Sequence, residues 1–128
     1  MSIFKSLTAL VLVSAVPALA PLPAAAHHST AMFEWGKVTK INGIVERFDW
    51  TNPHVFLFLK GADGKRYAFE GMSPNHLGRH GWSKRSVSPG DKVAVGYYKL
   101  KDGRDGGFCV TVTLPDGTRL AQLPNIPE

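Results

Sequence analysis

Beyond residue 36 the chain reads as short runs in which apolar and polar residues alternate, broken at intervals by Gly, Pro, Asp and Asn. A period of two marks half-buried strands. Lys37 to Asp49 predicts a long first strand whose apolar residues are Val38, Ile41, Ile44, Val45 and Phe48. Alternation slips near Asn42-Gly43, which predicts a bulge or a sharp coil there. The stretch Trp50-Thr51-Asn52-Pro53-His54 then forms a corner, because Pro53 cannot donate to a ladder and holds Asn52 extended. His54 to Lys60 is a nearly continuous apolar run and predicts a second strand. Across the turn Gly61-Ala62-Asp63-Gly64, Lys65 to Glu70 alternates as a third, completing a hairpin.

Next comes a helix signal: Ser73 as N-cap, Pro74 at the first helical position and Gly81 as a stop, so about two turns over Pro74 to His80. Ser88-Pro89-Gly90-Asp91 leads into a fourth strand, Lys92 to Leu100. Lys101 to Gly107 reads as a hairpin loop, Phe108 to Leu114 as a fifth strand and Thr118 to Leu123 as a short last one. In the fifth strand, strict alternation sends Phe108, Val110, Val112 and Leu114 into the core, with Cys109, Thr111 and Thr113 on the opposite face. Met32, Phe33 and Trp35, within Ser29 to Gly36, are expected to tack the start of the domain onto its body.

Three strands, a short helix, then two or three strands predict an all-β fold: an OB-fold-like, five- to six-stranded Greek-key barrel. A partly open β-sandwich is the alternative. A chain of 128 residues holds one such core.

The first 26 residues change the picture of where that core begins. Lys5 precedes an uncharged apolar run from Leu7 to Ala20, and a stretch rich in small residues and proline follows. This is the layout of a signal peptide over 1–26, too short to span a bilayer, and it leaves a single domain over 27–128 in the periplasm or outside the cell. Cleavage after Ala24-Ala25-Ala26 leaves His27 first; a cut one residue earlier leaves Ala26-His27-His28 at the start. No transmembrane segment is expected after processing. Removing Lys5 takes the 15 basic residues to 14 against 10 acids. With the basic residues scattered, no nucleic-acid footprint is expected. A lone cysteine, Cys109, excludes an internal disulfide.

The residues His27-His28-Ser29, Gly43, Trp50-x-Asn52-Pro53-His54, Glu70, Ser73-Pro74, Leu77-x-Arg79-x-Gly81-Trp82, Pro89-Gly90-Asp91-x-Val93 and Asp116-Gly117 resemble a family of small secreted bacterial proteins classed as a domain of unknown function. The resemblance implies an exported β-rich domain and no established activity.

The candidate chemistry is a metal site. A chain beginning with histidine offers its α-amine and Nδ1 as a chelate, and a second imidazole completes a three-nitrogen set suited to copper. His27 would chelate, with His54 or His28 as the third donor. After the earlier cut, the amine, two backbone nitrogens and His28 could instead hold Cu(II) or Ni(II) in a square plane. Glu70, Trp50, Trp82 and Asn52 are candidates for the surrounding shell or a ligand face, although Trp50 and Trp82 read first as core or rim aromatics. Glu70 is also placed to pair with Arg79 or Arg66. The plain alternative makes His27 and His28 a solvated start and His54 a turn residue.

His76 and His80, four apart, could face one side of the helix, with Gly78 weakening it between them; as two surface histidines they need no ligand. No nucleophile elbow, phosphate loop, dinucleotide fingerprint or haem-attachment pair is present, so no enzyme is expected. From another class, an interaction module would hold a peptide, glycan or envelope protein on a barrel face around Trp50, Phe56 and Trp82.

Overall fold

Gly43 is the pivot of the architecture. In the computed structural model, which describes residues 30–124, β1 (Thr39–Asp49) is one strand with two partners. Its Thr39–Ile44 part runs antiparallel to β4 (Lys92–Lys99), and Gly43–Asp49 runs antiparallel to β2 (Phe56–Gly61). The strand must bend where the two partners overlap. A Cβ at Gly43 would overlap the Lys60 carbonyl oxygen and the Leu59 side chain, so only glycine allows this approach. The coil therefore lies where alternation slips. The bulge is separate and sits further on, at Glu46, between the paired residues Val45 and Arg47.

β2 and β3 (Arg66–Glu70) form the expected hairpin, and α1 (Pro74–Gly78) separates β3 from β4. β5 (Gly106–Thr113) pairs antiparallel with β4 and parallel with β3, closing five strands into a barrel, while β6 (Arg119–Ala121) adds outside β5. The all-β barrel with one short helix is as expected, with OB-type strand order. Gly106 and Gly107 belong to β5 and not to the preceding loop. The positive φ of 142° at Gly106 and the tight approach of Gly107 to the Tyr98 carbonyl allow the closing backbones to meet. Other boundaries move by a residue or two: β1 begins at Thr39, β2 at Phe56, and α1 ends at Gly78.

The barrel interior is filled by Val45, Leu57, Leu59, Phe69, Val95, Tyr97, Cys109 and Val112 among others. Leu77 of α1, fully buried, joins it, a burial worth roughly 1.5–3 kcal/mol. The helix starts as its sequence dictates, with the Ser73 side chain accepting the His76 N–H at 3.2 Å.

A second, smaller cluster covers the outside of β5. Phe33, Phe108 and Val110 form it, with Met32, Val38, Tyr98, Leu100 and Leu123 packed against them. The first described residues are thus tied down: a 3₁₀ turn (Thr30–Met32) leads into Phe33, which bridges Leu100. This overturns the expected faces of Phe108, Cys109 and Val110, while Val112 and Leu114 face the barrel core as expected. The β4–β5 register slips at Gly96/Tyr97, so Cys109 and Val112 both point inward, and Phe108 and Val110 point out under the lead-in. One extra residue reverses parity, and two covered faces hide the reversal in an all-apolar pattern. Among the described residues, no helix is long and apolar enough to cross a membrane.

Candidate functional site

The corner between β1 and β2 contains a cis Asn52–Pro53 peptide and carries His54 to the end of β3. Val55 donates its N–H to the Met72 carbonyl and accepts the Gly71 N–H, extending the β2–β3 hairpin beyond its strands. His54 consequently lies beside Gly71 and Glu70. Its Nδ1–H donates to the Gly71 carbonyl at 2.7 Å, and Nδ1 stands 3.4 Å from Glu70 Oε1. Both side chains are largely covered, at 29% and 12% exposure, so the carboxylate acts on the imidazole with reduced screening. A neutral ring donating from Nδ1 carries its lone pair on Nε2, the state a metal ligand requires.

Glu70 does not pair with Arg66 or Arg79 as one expectation had it. Arg66 binds Glu46 at 3.1 Å, and Glu70 turns to His54. It also lines a small pocket of about 130 Å³ with Met32, Phe33, Phe56 and Arg104. The lead-in and Glu70, the neighbour of His54, therefore line one pocket.

The other shell candidates separate. Trp50 is half-buried and packs edge-on against Phe48, ring centroids 5.8 Å apart, while Asn52 is exposed. Trp82 is 4% exposed, with its indole N–H donating to the Ala121 carbonyl at 2.9 Å. Trp82 is a core residue, which removes it from the aromatic ligand face expected around Trp50, Phe56 and Trp82. Phe56 and Phe58, half-buried like Trp50, stay at that surface, with Arg47 lying 4.0 Å over the Phe58 ring.

His27 and His28 lie outside the described residues. Among the described residues no group of three or more His, Cys, Asp or Glu side chains is placed to hold a metal ion. Burial pushes the Cys109 thiol up to about 12, opposed only in part by a hydrogen bond with Gln122, so Cys109 offers no thiolate near neutrality. His76 and His80 stack with ring centroids 4.3 Å apart. His76 Nε2–H donates to the Gln122 carbonyl at 2.8 Å and His80 Nδ1–H to the His76 carbonyl at 2.9 Å.

Sequence reading missed Gln122. It is 1% exposed, its carbonyl receives His76, and its Oε1 accepts the Met72 N–H at 2.7 Å. A polar residue just past a short last strand gives no sign of such burial.

The family model of DUF6152, a family of unknown function, matches residues 15–109. The chain belongs to this family. Within this DUF6152 domain the match runs through the His54 corner, Glu70 and the helix and ends in β5 at Cys109. Comparisons with curated proteins and with solved structures give no match.

Proposed function

We propose that this DUF6152 protein is exported to the periplasm and binds one transition-metal ion there, Cu(II) before other divalent ions, without turning over a substrate. After cleavage before His27, the α-amine and Nδ1 of His27 chelate the ion and His54 Nε2 supplies the third nitrogen. His28 is the alternative third donor. Imidazole and amine nitrogens suit Cu(II), which also heads the divalent affinity order. Glu70 and the Gly71 carbonyl hold His54 in the required tautomer.

One observation carries the reading: Met32 and Glu70 line the same pocket, and His54 adjoins Glu70. Three residue steps separate His27 from Thr30, where the 3₁₀ turn that ends at Met32 begins, a reach of at most about 11 Å when extended. The processed terminus can therefore return to the one described imidazole held by a carboxylate.

The test begins with the intact mass of the exported protein, which fixes its first residue. Cu(II) titration of that material should then give one tight site, lost in both His27→Ala and His54→Ala. A retained leader, or affinity that survives both substitutions, removes the proposed site.

A further inference from the structure

The barrel exterior has a second feature that the copper reading does not use. Along the regular part of β1, Lys40, Asn42 and Ile44 share the outer face. Ile44 is paired in register with Lys60 of β2 on one side and Lys92 of β4 on the other. Two inter-strand spacings put these lysines about 10 Å apart with an isoleucine between them. Ile44 is 44% exposed, one of two large exposed hydrophobic residues among those described, so it is a genuine apolar surface and not a core edge.

Around it lies an open groove of about 610 Å³, lined by Ile44, Ala94, Leu114 and Pro115 with Lys60 and Lys92 at its edge. Ala94 and Thr113 continue into an adjoining depression of about 240 Å³ that Lys40 and Arg119 border. No carboxylate lines either hollow. None of these four cations takes part in an ion pair among the described residues. On the neighbouring face, by contrast, Arg47 pairs with Asp49 at 3.0 Å and Arg66 with Glu46 at 3.1 Å.

We propose that this face, the outer surface of β1, β4 and β5 with Lys60 of β2, docks onto the anionic surface of a lipid bilayer. Unpaired cations around an apolar floor match a layer that is anionic at its surface and apolar beneath. The lysine stems lie along the apolar surface while their ammonium groups stay level with the headgroups, and Ile44 presses between them. Packed side chains fill the barrel, so the lipid meets the outside of the fold and does not enter it.

Flotation of the exported, processed protein with vesicles tests the assignment. Vesicles of phosphatidylcholine with about a third phosphatidylglycerol should capture it at low salt, and pure phosphatidylcholine should not. Capture should weaken steeply as ionic strength approaches 0.5 M, as screening shortens the reach of the lysines to roughly 4 Å. The double substitution Lys60→Glu, Lys92→Glu should lower vesicle affinity at least about 20-fold. The control Lys99→Glu, Lys101→Glu makes the same charge change elsewhere and should retain most of it. Ile44→Ser should weaken vesicle capture while leaving binding to a soluble polyanion such as heparin unchanged. Circular dichroism confirms that each variant is folded. Equal loss in both double variants, equal capture by neutral vesicles, no capture at all, or an Ile44→Ser variant bound like the native protein overturns the proposal.

Discussion

The corner histidine and the helix pair are the same side chain in two settings, and the settings differ in what holds each ring. His54 is held from a distance: Gly71, 17 residues away, takes its Nδ1–H, and a carboxylate stands 3.4 Å from the same nitrogen. His76 and His80 are four residues apart, the spacing that sequence reasoning associates with a shared face. They do share one, but as a stack, with planes 21° apart. Imidazole lone pairs lie in the ring plane, so nearly parallel rings aim them along separate planes and not at one ion. Hydrogen bonding also leaves the lone pair on Nδ1 of His76 and on Nε2 of His80, because the other nitrogens donate to carbonyls. Spacing predicts proximity; convergence depends on which nitrogen each ring has already committed.

The strongest way to break this contrast is Glu70→Gln. The substitution keeps size and removes the charge beside His54. A partner that orients a ligating imidazole is worth about 10–100-fold in metal affinity, so the Cu(II) dissociation constant should rise by that factor while the metal-free thermal midpoint moves little. Isothermal titration and a thermal melt read the two effects separately. Unchanged copper affinity would make His54–Glu70 a purely structural pair.

A smaller effect is expected at Gln122, which touches both settings. Its Oε1 accepts the Met72 N–H, next to the Gly71 carbonyl that holds His54, and its own carbonyl receives His76. Gln122→Leu leaves the Met72 N–H without this acceptor in a covered position, at a cost of about 1–3 kcal/mol. Chemical denaturation should show that loss at an unchanged slope, with copper affinity falling less than in Glu70→Gln. A neutral result would show that water replaces the side chain and that the two histidine settings are uncoupled.

What the sequence disclosed follows the same division between local and distant causes. Local signals were legible: the Ser73–Pro74 helix start, the Gly61–Gly64 turn, the break at Pro53 and the coil at Gly43 all act within a few residues. The order of strands around the helix then pointed to the barrel. The parity of β5 was hidden, because its extra residue shows only against β4 and because Phe108 and Val110 find a second apolar cluster on the outer face. Trp82 was legible as a core or rim aromatic, but what excludes it from a ligand face was hidden for a related reason. Its indole N–H is satisfied by Ala121, 39 residues away, and nothing nearby in the chain announces that partner. His54 was legible as chemistry but its orientation was not, since the Gly71 and Glu70 that set it arrive from the far end of the hairpin.

The helix pair supplies the smallest and sharpest test of the contrast. His80 is exposed two residues past the end of α1, and its side chain bonds the His76 carbonyl and stacks on the His76 ring. His80→Ala should therefore shift stability by no more than about 0.5 kcal/mol. His76→Ala removes a long-range donor to Gln122 and should cost about 1 kcal/mol, the ordinary net value of one hydrogen bond. Neither substitution should change the Cu(II) affinity proposed for the His54 site by more than about twofold, because each ring has one nitrogen donating to a carbonyl and the stacked planes aim the lone pairs apart. Measured beside Glu70→Gln in one titration series, the two variants reverse the assignment if copper affinity falls with the helix pair and holds with Glu70. The stack would then have to open on binding, trading the His76–Gln122 hydrogen bond for a ligand bond, and the thermal shift of copper-loaded His76→Ala would carry that trade as a lost stabilisation.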